Sequence, residues 1–213
     1  MTPDQFHIPA TLDYMAVVAW AVSGALVGAR KGFDLVGVFM TALVSSLGGS
    51  LLRDGVLLQT IPPVLTNAAY LPLIALATGL AIVIARKVQT IGRIEKIVEL
   101  IDAAGTPAFA VVGIEAARSM GVPLPGILFV GCVGGVGGGV LRDILVRETP
   151  EIMLPGRYLA ILVALFSALY MILTIGLDLP RGICAWGIVA AHFAVRWATI
   201  RYDWRTKPVM EAK

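Results

Sequence analysis

Gly137-Gly138-Gly139-Val140-Leu141-Arg142-Asp143 is a triple glycine running into an arginine and an aspartate within a long apolar run. Glycine weakens a helix, and a charge in an apolar span is costly unless paired or hydrated. The phrase occurs twice. Gly48-Gly49-Ser50-Leu51-Leu52-Arg53-Asp54 precedes it by 89 positions, with five of the seven residues identical. A duplicated, charged, glycine-rich element in such a setting marks a candidate functional site.

The surrounding composition says what the setting is. The chain has 213 residues, 58% hydrophobic and 15% charged, with a mean hydropathy of +0.86. Soluble domains carry about a quarter charged residues, so this is an all-α integral membrane protein. At about 20 apolar residues per helical crossing, the pattern predicts seven spans, at 12–29, 35–58, 68–85, 101–117, 124–146, 158–175 and 183–200. Residues 59–67, with Pro62-Pro63, read as a turn. Residues 86–99 read as the longest loop, with an amphipathic turn at the interface, and 201–213 as a polar tail. Residues 1–8 are polar and lack a basic segment, so no cleavable signal peptide is expected, and His7 reads as a solvated side chain. Basic residues sit at the ends of apolar segments rather than on one face, which argues against a nucleic-acid partner. Cys132 and Cys184 fall within spans and read as buried free thiols. No Ser-His-Asp, Cys-His or HExxH arrangement is present, and Gly131–Gly139 lacks both dinucleotide and phosphate-loop spacing. Neither an enzyme nor a cofactor is expected.

With the N-terminus outside, 13 Lys and Arg residues fall on the inner side, Arg196 and Arg157 among them, and two, Arg118 and Arg181, on the outer side. The positive-inside rule then places the C-terminus in the cytoplasm. The repeat extends beyond the motif: at the same displacement Asp13 matches Asp102, Gly24 matches Gly113, Gly32 matches Gly121 and Leu35 matches Leu124. Repeat one covers about 12–87 and repeat two about 101–176, with a seventh helix at about 183–200, in one transmembrane domain, 1–213. Three spans per unit make the second copy an inverted repeat, an arrangement that places solute pathways at broken helices near the midplane.

In that frame Arg53 lies toward the outer half and Arg142 toward the inner half, giving two constrictions. Adjacent Arg and Asp do not face each other on a helix, so each charge is expected to find its partner on another helix, in the same or the other repeat. The candidate pathway residues are Gly48, Gly49, Ser50, Arg53 and Asp54 with Gly137, Gly138, Gly139, Arg142 and Asp143. Carbonyls freed at the glycines would be transient cation ligands near Gly48 and Gly137, with no dedicated metal site. The same glycines also form small-xxx-small patterns that let helices pack closely. Thr41, Ser45 and Ser46 either line the pathway or bond back to their own helix. Glu115 either pairs with Arg118 or forms a cation vestibule. His192 reads as packing, and Trp20, Trp186, Trp197 and Trp204 as interface anchors.

The doubled Gly-Gly-Ser/Gly-x-Leu-Arg-Asp phrase, in two three-span units plus a seventh span, resembles the prokaryotic branch of the trimeric intracellular cation (TRIC) channel family. The resemblance covers about 14–200 and departs from it at Ser50, where the first copy lacks its third glycine. It implies a homotrimer in the lipid of a prokaryotic inner membrane, with one pore per protomer. It also implies that spans two and five are kinked at the glycines and line that pore, with K⁺ as the permeant ion. Relatives described as glycine transporters leave a second reading open, a carrier of a small zwitterion such as glycine.

Overall fold

The computed structural model describes residues 7–88, 90–155 and 158–204, residues 7–9 by backbone alone. The expectations for the His7 side chain, Arg157 and the tail from 205 onward lie outside the described residues. Among the described residues, seven helices are long and apolar enough to cross a membrane. They are α1 (His7–Arg30), α2 (Leu35–Ser50, continuing as a π-helix over Leu51–Leu57), α4 (Tyr70–Lys87), α5 (Ile91–Ser119), α6 (Leu124–Leu145), α7 (Leu159–Met171, continuing as a π-helix over Ile172–Gly176) and α8 (Arg181–Arg201). A single turn, α3 (Pro63–Thr66), lies between α2 and α4, and a 3₁₀ turn, Glu151–Met153, follows α6. Among the described residues there is no strand.

Local chemistry sets the ends. The Asp34 carboxylate caps α2 by accepting from Gly37 N–H at 2.8 Å, the usual service of an aspartate to a helix's unpaired first turn. Pro123 and Pro180 stand just before α6 and α8, where a missing N–H costs nothing. The turns after α1 and α5 use Gly32 and Gly121 at φ +74° and +71°, positions that only glycine adopts freely. These two turns are 89 residues apart, as are the starts of α2 and α6 and both ends of α4 and the extended α7. The architecture is the expected one, two inverted three-helix units and a seventh helix.

Two expectations are corrected. The 86–99 segment is no loop: α5 starts at Ile91 and runs 29 residues. Ile91, Ile94, Ile97 and Val98 recur at helical spacing, and Ile94 is buried, so the polar residues between them form the wet face of an amphipathic first turn. Nor are spans two and five broken at their glycines. α6 stays α-helical from end to end, and α2 changes register only after Ser50, where the Gly48 carbonyl still accepts Leu51 N–H. The Gly48 carbonyl is therefore engaged within the helix.

The core joins α1, α5 and α6 through Leu12, Trp20, Leu26, Phe109, Ile114, Ile127 and Val130. Leu76 and Ile183, at 72% and 75% exposure, lie on the outer surface, an apolar belt suited to lipid. Trp186, Trp197 and Trp204 share that surface, but Trp20 is only 3% exposed and is a core residue rather than an anchor. Cys184 is buried and Cys132 half-buried, both free.

Candidate functional site: two arginine clusters related by the repeat

α2 and α6 cross antiparallel through their small residues. A methyl group added to Gly49 would lie 2.6 Å from the Gly134 carbonyl oxygen, and one on Gly138 would collide with the Ser45 carbonyl. These two contacts exchange when 89 is added to one partner and subtracted from the other, so a pseudo-two-fold axis passes through the crossing. Gly131 and Gly135 do the same against Ile114, Ala110 and Thr106 of α5. The glycines are therefore sites of close helix approach. Thr41, Ser46 and Ser50 bond back to carbonyls of their own helix, to Gly37, Ala42 and Leu47 respectively. The hydroxyl of Ser45 has no partner, although it is buried.

One turn beyond the crossing, each helix presents its arginine. Arg142 is buried among four groups. Its Nε donates to Asp143 Oδ1 at 2.9 Å, with Nη2 also 2.9 Å from that oxygen, and its Nη1 donates to Asp102 Oδ2 at 2.9 Å and to Ser23 Oγ at 2.6 Å. Ser23 in turn donates to Asp102 Oδ1 at 2.5 Å, closing a ring between α1, α5 and α6. The guanidinium carbon stands 5.6 Å from the centre of the Trp20 ring, and Trp20 also fills the space over Gly139. The remaining space is small, about 20 Å³, lined by Glu151 and Leu159 among others. A buried charge is tolerated when its hydrogen-bonding capacity is met this fully.

Arg53 holds the equivalent place in the first copy. Its Nε and Nη2 donate to the two Asp54 oxygens, each at 2.6 Å, and its stem lies against Gly113 and Gly134. Asp13, the repeat mate of Asp102, faces it, but Arg53 Nη1 and Asp13 Oδ1 are 3.9 Å apart. Neither atom has a hydrogen-bond partner, and Asp13 gives its other oxygen to the Tyr70 hydroxyl. This cluster opens on a vestibule of about 640 Å³ that Tyr14, Thr60, Asn67, Val112, Glu115, Arg118 and Arg181 also line. Glu115 accepts from Tyr170 at 2.9 Å and from Arg181 at 3.2 Å, and stands 3.9 Å from Arg118.

One expectation about partners is thus corrected and the other narrowed. Each arginine does bond its own neighbouring aspartate, because a long guanidinium can fold back to a carboxylate that the helix directs elsewhere. Its aspartate on another helix belongs to the same repeat, Asp13 for Arg53 and Asp102 for Arg142. From the first repeat, Ser23 and Trp20 reach across to Arg142. The two clusters also differ in the space beside them, about 640 Å³ at Arg53 against about 20 Å³ at Arg142. The motif reading missed Asp13 and Asp102 as site residues, although their displacement of 89 was the signal that could have found them. It also missed Arg196, which is fully buried on α8 rather than solvated at its end and donates to Glu151 at 3.0 Å. Glu151 N–H reaches Asp143 at 3.3 Å, so α8 joins the Arg142 cluster. His192 packs edge-on to Phe166 at 5.3 Å and lies against the Ala103 carbonyl, whose usual helical donor Pro107 lacks. Among the described residues no cluster of His, Cys, Asp and Glu could hold a metal ion.

The comparisons agree with this geometry. The family model described as Glycine transporter matches residues 10–87 and 99–175, one block for each repeat. A UPF0126 membrane protein of Deinococcus radiodurans is 39% identical over 142 residues, 67% of this chain and 65% of that protein, so the match spans just under two thirds of the relative's length. Among solved structures, a TRIC cation channel superposes with a TM-score of 0.81 at 28% identity, covering 96% of this chain and 98% of its own. The TRIC trimeric intracellular cation channel orthologue from Rhodobacter sphaeroides does so with a TM-score of 0.83 at 27% identity, covering 92% and 99%. The chain belongs to the glycine transporter family, and its fold is that of the prokaryotic TRIC channels.

Proposed function

We propose that the chain acts as one transmembrane domain that passes small cations, chiefly K⁺, through each protomer of a homotrimer in a bacterial inner membrane. The vestibule faces outward with the N-terminus and the C-terminus lies in the cytoplasm. The observation that carries this reading is the vestibule that ends on Asp13 and Asp54 one turn from the α2–α6 crossing, in a fold shared with TRIC cation channels. The route runs from the vestibule past Arg53, beside Gly48–Ser50 and Gly137–Gly139, to Arg142 and Asp143. Carboxylates attract the ion, and the hydroxyl of Ser45 is positioned to hydrate it. Purified protein in planar bilayers is expected to give unitary K⁺ currents.

A second reading is a carrier of a small zwitterion, favoured by one observation beyond the family's description. The vestibule lining holds three carboxylates, Asp13, Asp54 and Glu115, against three guanidiniums, Arg53, Arg118 and Arg181. A balanced lining does not concentrate cations. Absence of currents, together with saturable uptake of labelled glycine into liposomes, would establish the carrier and overturn the channel.

A further inference from the structure

Each cluster holds two carboxylates for one guanidinium, Asp13 and Asp54 with Arg53, and Asp102 and Asp143 with Arg142. The second copy shares its cation between both acids. Asp102 receives Arg142 Nη1 at 2.9 Å and the Ser23 hydroxyl at 2.5 Å, donors that compensate its burial. In the first copy Arg53 commits Nε and Nη2 to Asp54, each at 2.6 Å, and its Nη1 stops 3.9 Å from Asp13. Exchanging the repeats turns Ser23 into Val112 and Leu159 into Tyr70. Asp13 therefore trades a charged donor and a serine for the neutral Tyr70 hydroxyl. It carries the surplus negative charge of its cluster at 5% exposure. The matching positive surplus lies at Glu115, where Arg118 and Arg181 share one carboxylate. The vestibule lining is balanced in total but divided.

We infer that Asp13 is a proton-binding site at the end of the vestibule, and that a proton there removes the charge that draws cations toward the α2–α6 crossing. An ionisable side chain inside a span, lining a water-filled space, is the usual carrier of such a proton. The step adds one proton from vestibule water to a carboxylate oxygen and gives a neutral carboxyl, with no other bond made or broken. Arg53 and Asp54 then remain as a balanced pair, whereas ionised Asp13 leaves one negative charge over. The groups that set this titration are Tyr14 on the same helix, Arg53 and Asp54 on the π segment of α2, and Tyr70 on α4. Glu115 and Arg118 of α5 and Arg181 of α8 face it across the vestibule. Asp102 is not an equivalent site, because Arg142 bonds both of its acids beside only about 20 Å³ of space. Acid should therefore act from the vestibule side alone. The effect on passage rests on the channel reading, but proton binding itself does not.

The first test is an acid titration of the full-length protein in detergent, followed by infrared spectroscopy, where a buried carboxyl absorbs apart from hydrated ones. Wild type is expected to gain a carboxyl band that Asp13→Asn loses and Glu115→Gln keeps. Tyr70→Phe removes the phenol donor and should shift the titration of that band, which keeps the test open where Asp13→Asn fails to assemble. In planar bilayers, acid on the vestibule side is expected to reduce the K⁺ current severalfold, and acid on the opposite side to leave it unchanged. Asp13→Asn should abolish that response. A band that survives in Asp13→Asn, or a titration identical in wild type and Tyr70→Phe, would overturn the site. An undiminished acid response of the Asp13→Asn current would overturn its part in cation passage. The band without any K⁺ current removes the channel reading and leaves the proton site standing, so the two failures are told apart.

Discussion

Ser23 is the smallest member of the Arg142 cluster, yet both Arg142 and Asp102 depend on it. Ser23→Ala leaves a buried donor and a buried acceptor facing a methyl group, and is expected to cost about 1–3 kcal/mol, measured by chemical unfolding in detergent. At the same end of the molecule, Glu148 ties together Arg30 and Lys31, each at 2.7 Å. Burial alone would raise its pKa, but the hydrogen bond from Lys31 and the charge of Arg30 hold it below the ordinary value of 4.5. A lowered carboxylate stabilises the fold above its unfolded pKa and loses that contribution as pH falls through the folded value. Wild type should therefore melt above Glu148→Gln at neutral pH, and the two melting curves should converge as the pH is taken below 4.5. Arg53, Asp54, Arg142 and Asp143, the centres of the two buried clusters, were legible as candidates because charges stand out in an apolar run. Their partners were less so: Asp13 sits near a span end, where an aspartate is unremarkable, and Ser23 resembles any small helix-packing residue.

At the scale of elements, the two copies differ by one residue at the ends of α2 and α6. The π-helix of α2 absorbs an extra position, so its chain reverses at Gln59, φ +52°, whereas α6 reverses at Arg147, φ +58°, one place earlier once 89 is subtracted. π segments of this kind recur at functional sites, and this one carries Arg53 and Asp54. Nothing in residue type announces it: Leu51-Leu52 and Val140-Leu141 are equally compatible with either helix, and the choice is made by hydrogen-bond register. The glycines were read in part as breaks, since helix propensity alone disfavours them, but close packing of α2 on α6 outweighs propensity here. Gly138→Ala must push α2 and α6 apart and is expected to cost about 1–3 kcal/mol. Gly79→Ala, where an added methyl meets nothing within 4 Å, is expected to be neutral or to stabilise by up to about 1 kcal/mol. Melting temperatures of the two variants compare them directly.

For the whole molecule, the inverted repeat and the seven spans were readable because a displacement of 89 and a hydropathy profile survive sequence drift. The part played by α8 was not, because it lies outside the repeat and its Arg196 resembles one more basic residue at a span end. The structure gives that helix an arginine for each face, Arg181 to Glu115 and Arg196 to Glu151. Arg196 is fully buried but Glu151 keeps a third of its side chain exposed, so Arg196→Leu is expected to cost less than the ~3–5 kcal/mol of a fully buried pair. Adding Glu151→Leu should recover part of that loss, as a double-mutant cycle would show. The same arrangement has a consequence for synthesis. α8 leaves the ribosome after both repeats are made, and until it inserts, Glu115 and Glu151 lack their arginines on that helix. Nascent chains stalled before Arg181 should therefore be short-lived in a pulse-chase and stabilised once α8 is added, which makes the seventh helix the checkpoint at which a newly made protomer becomes fit to keep.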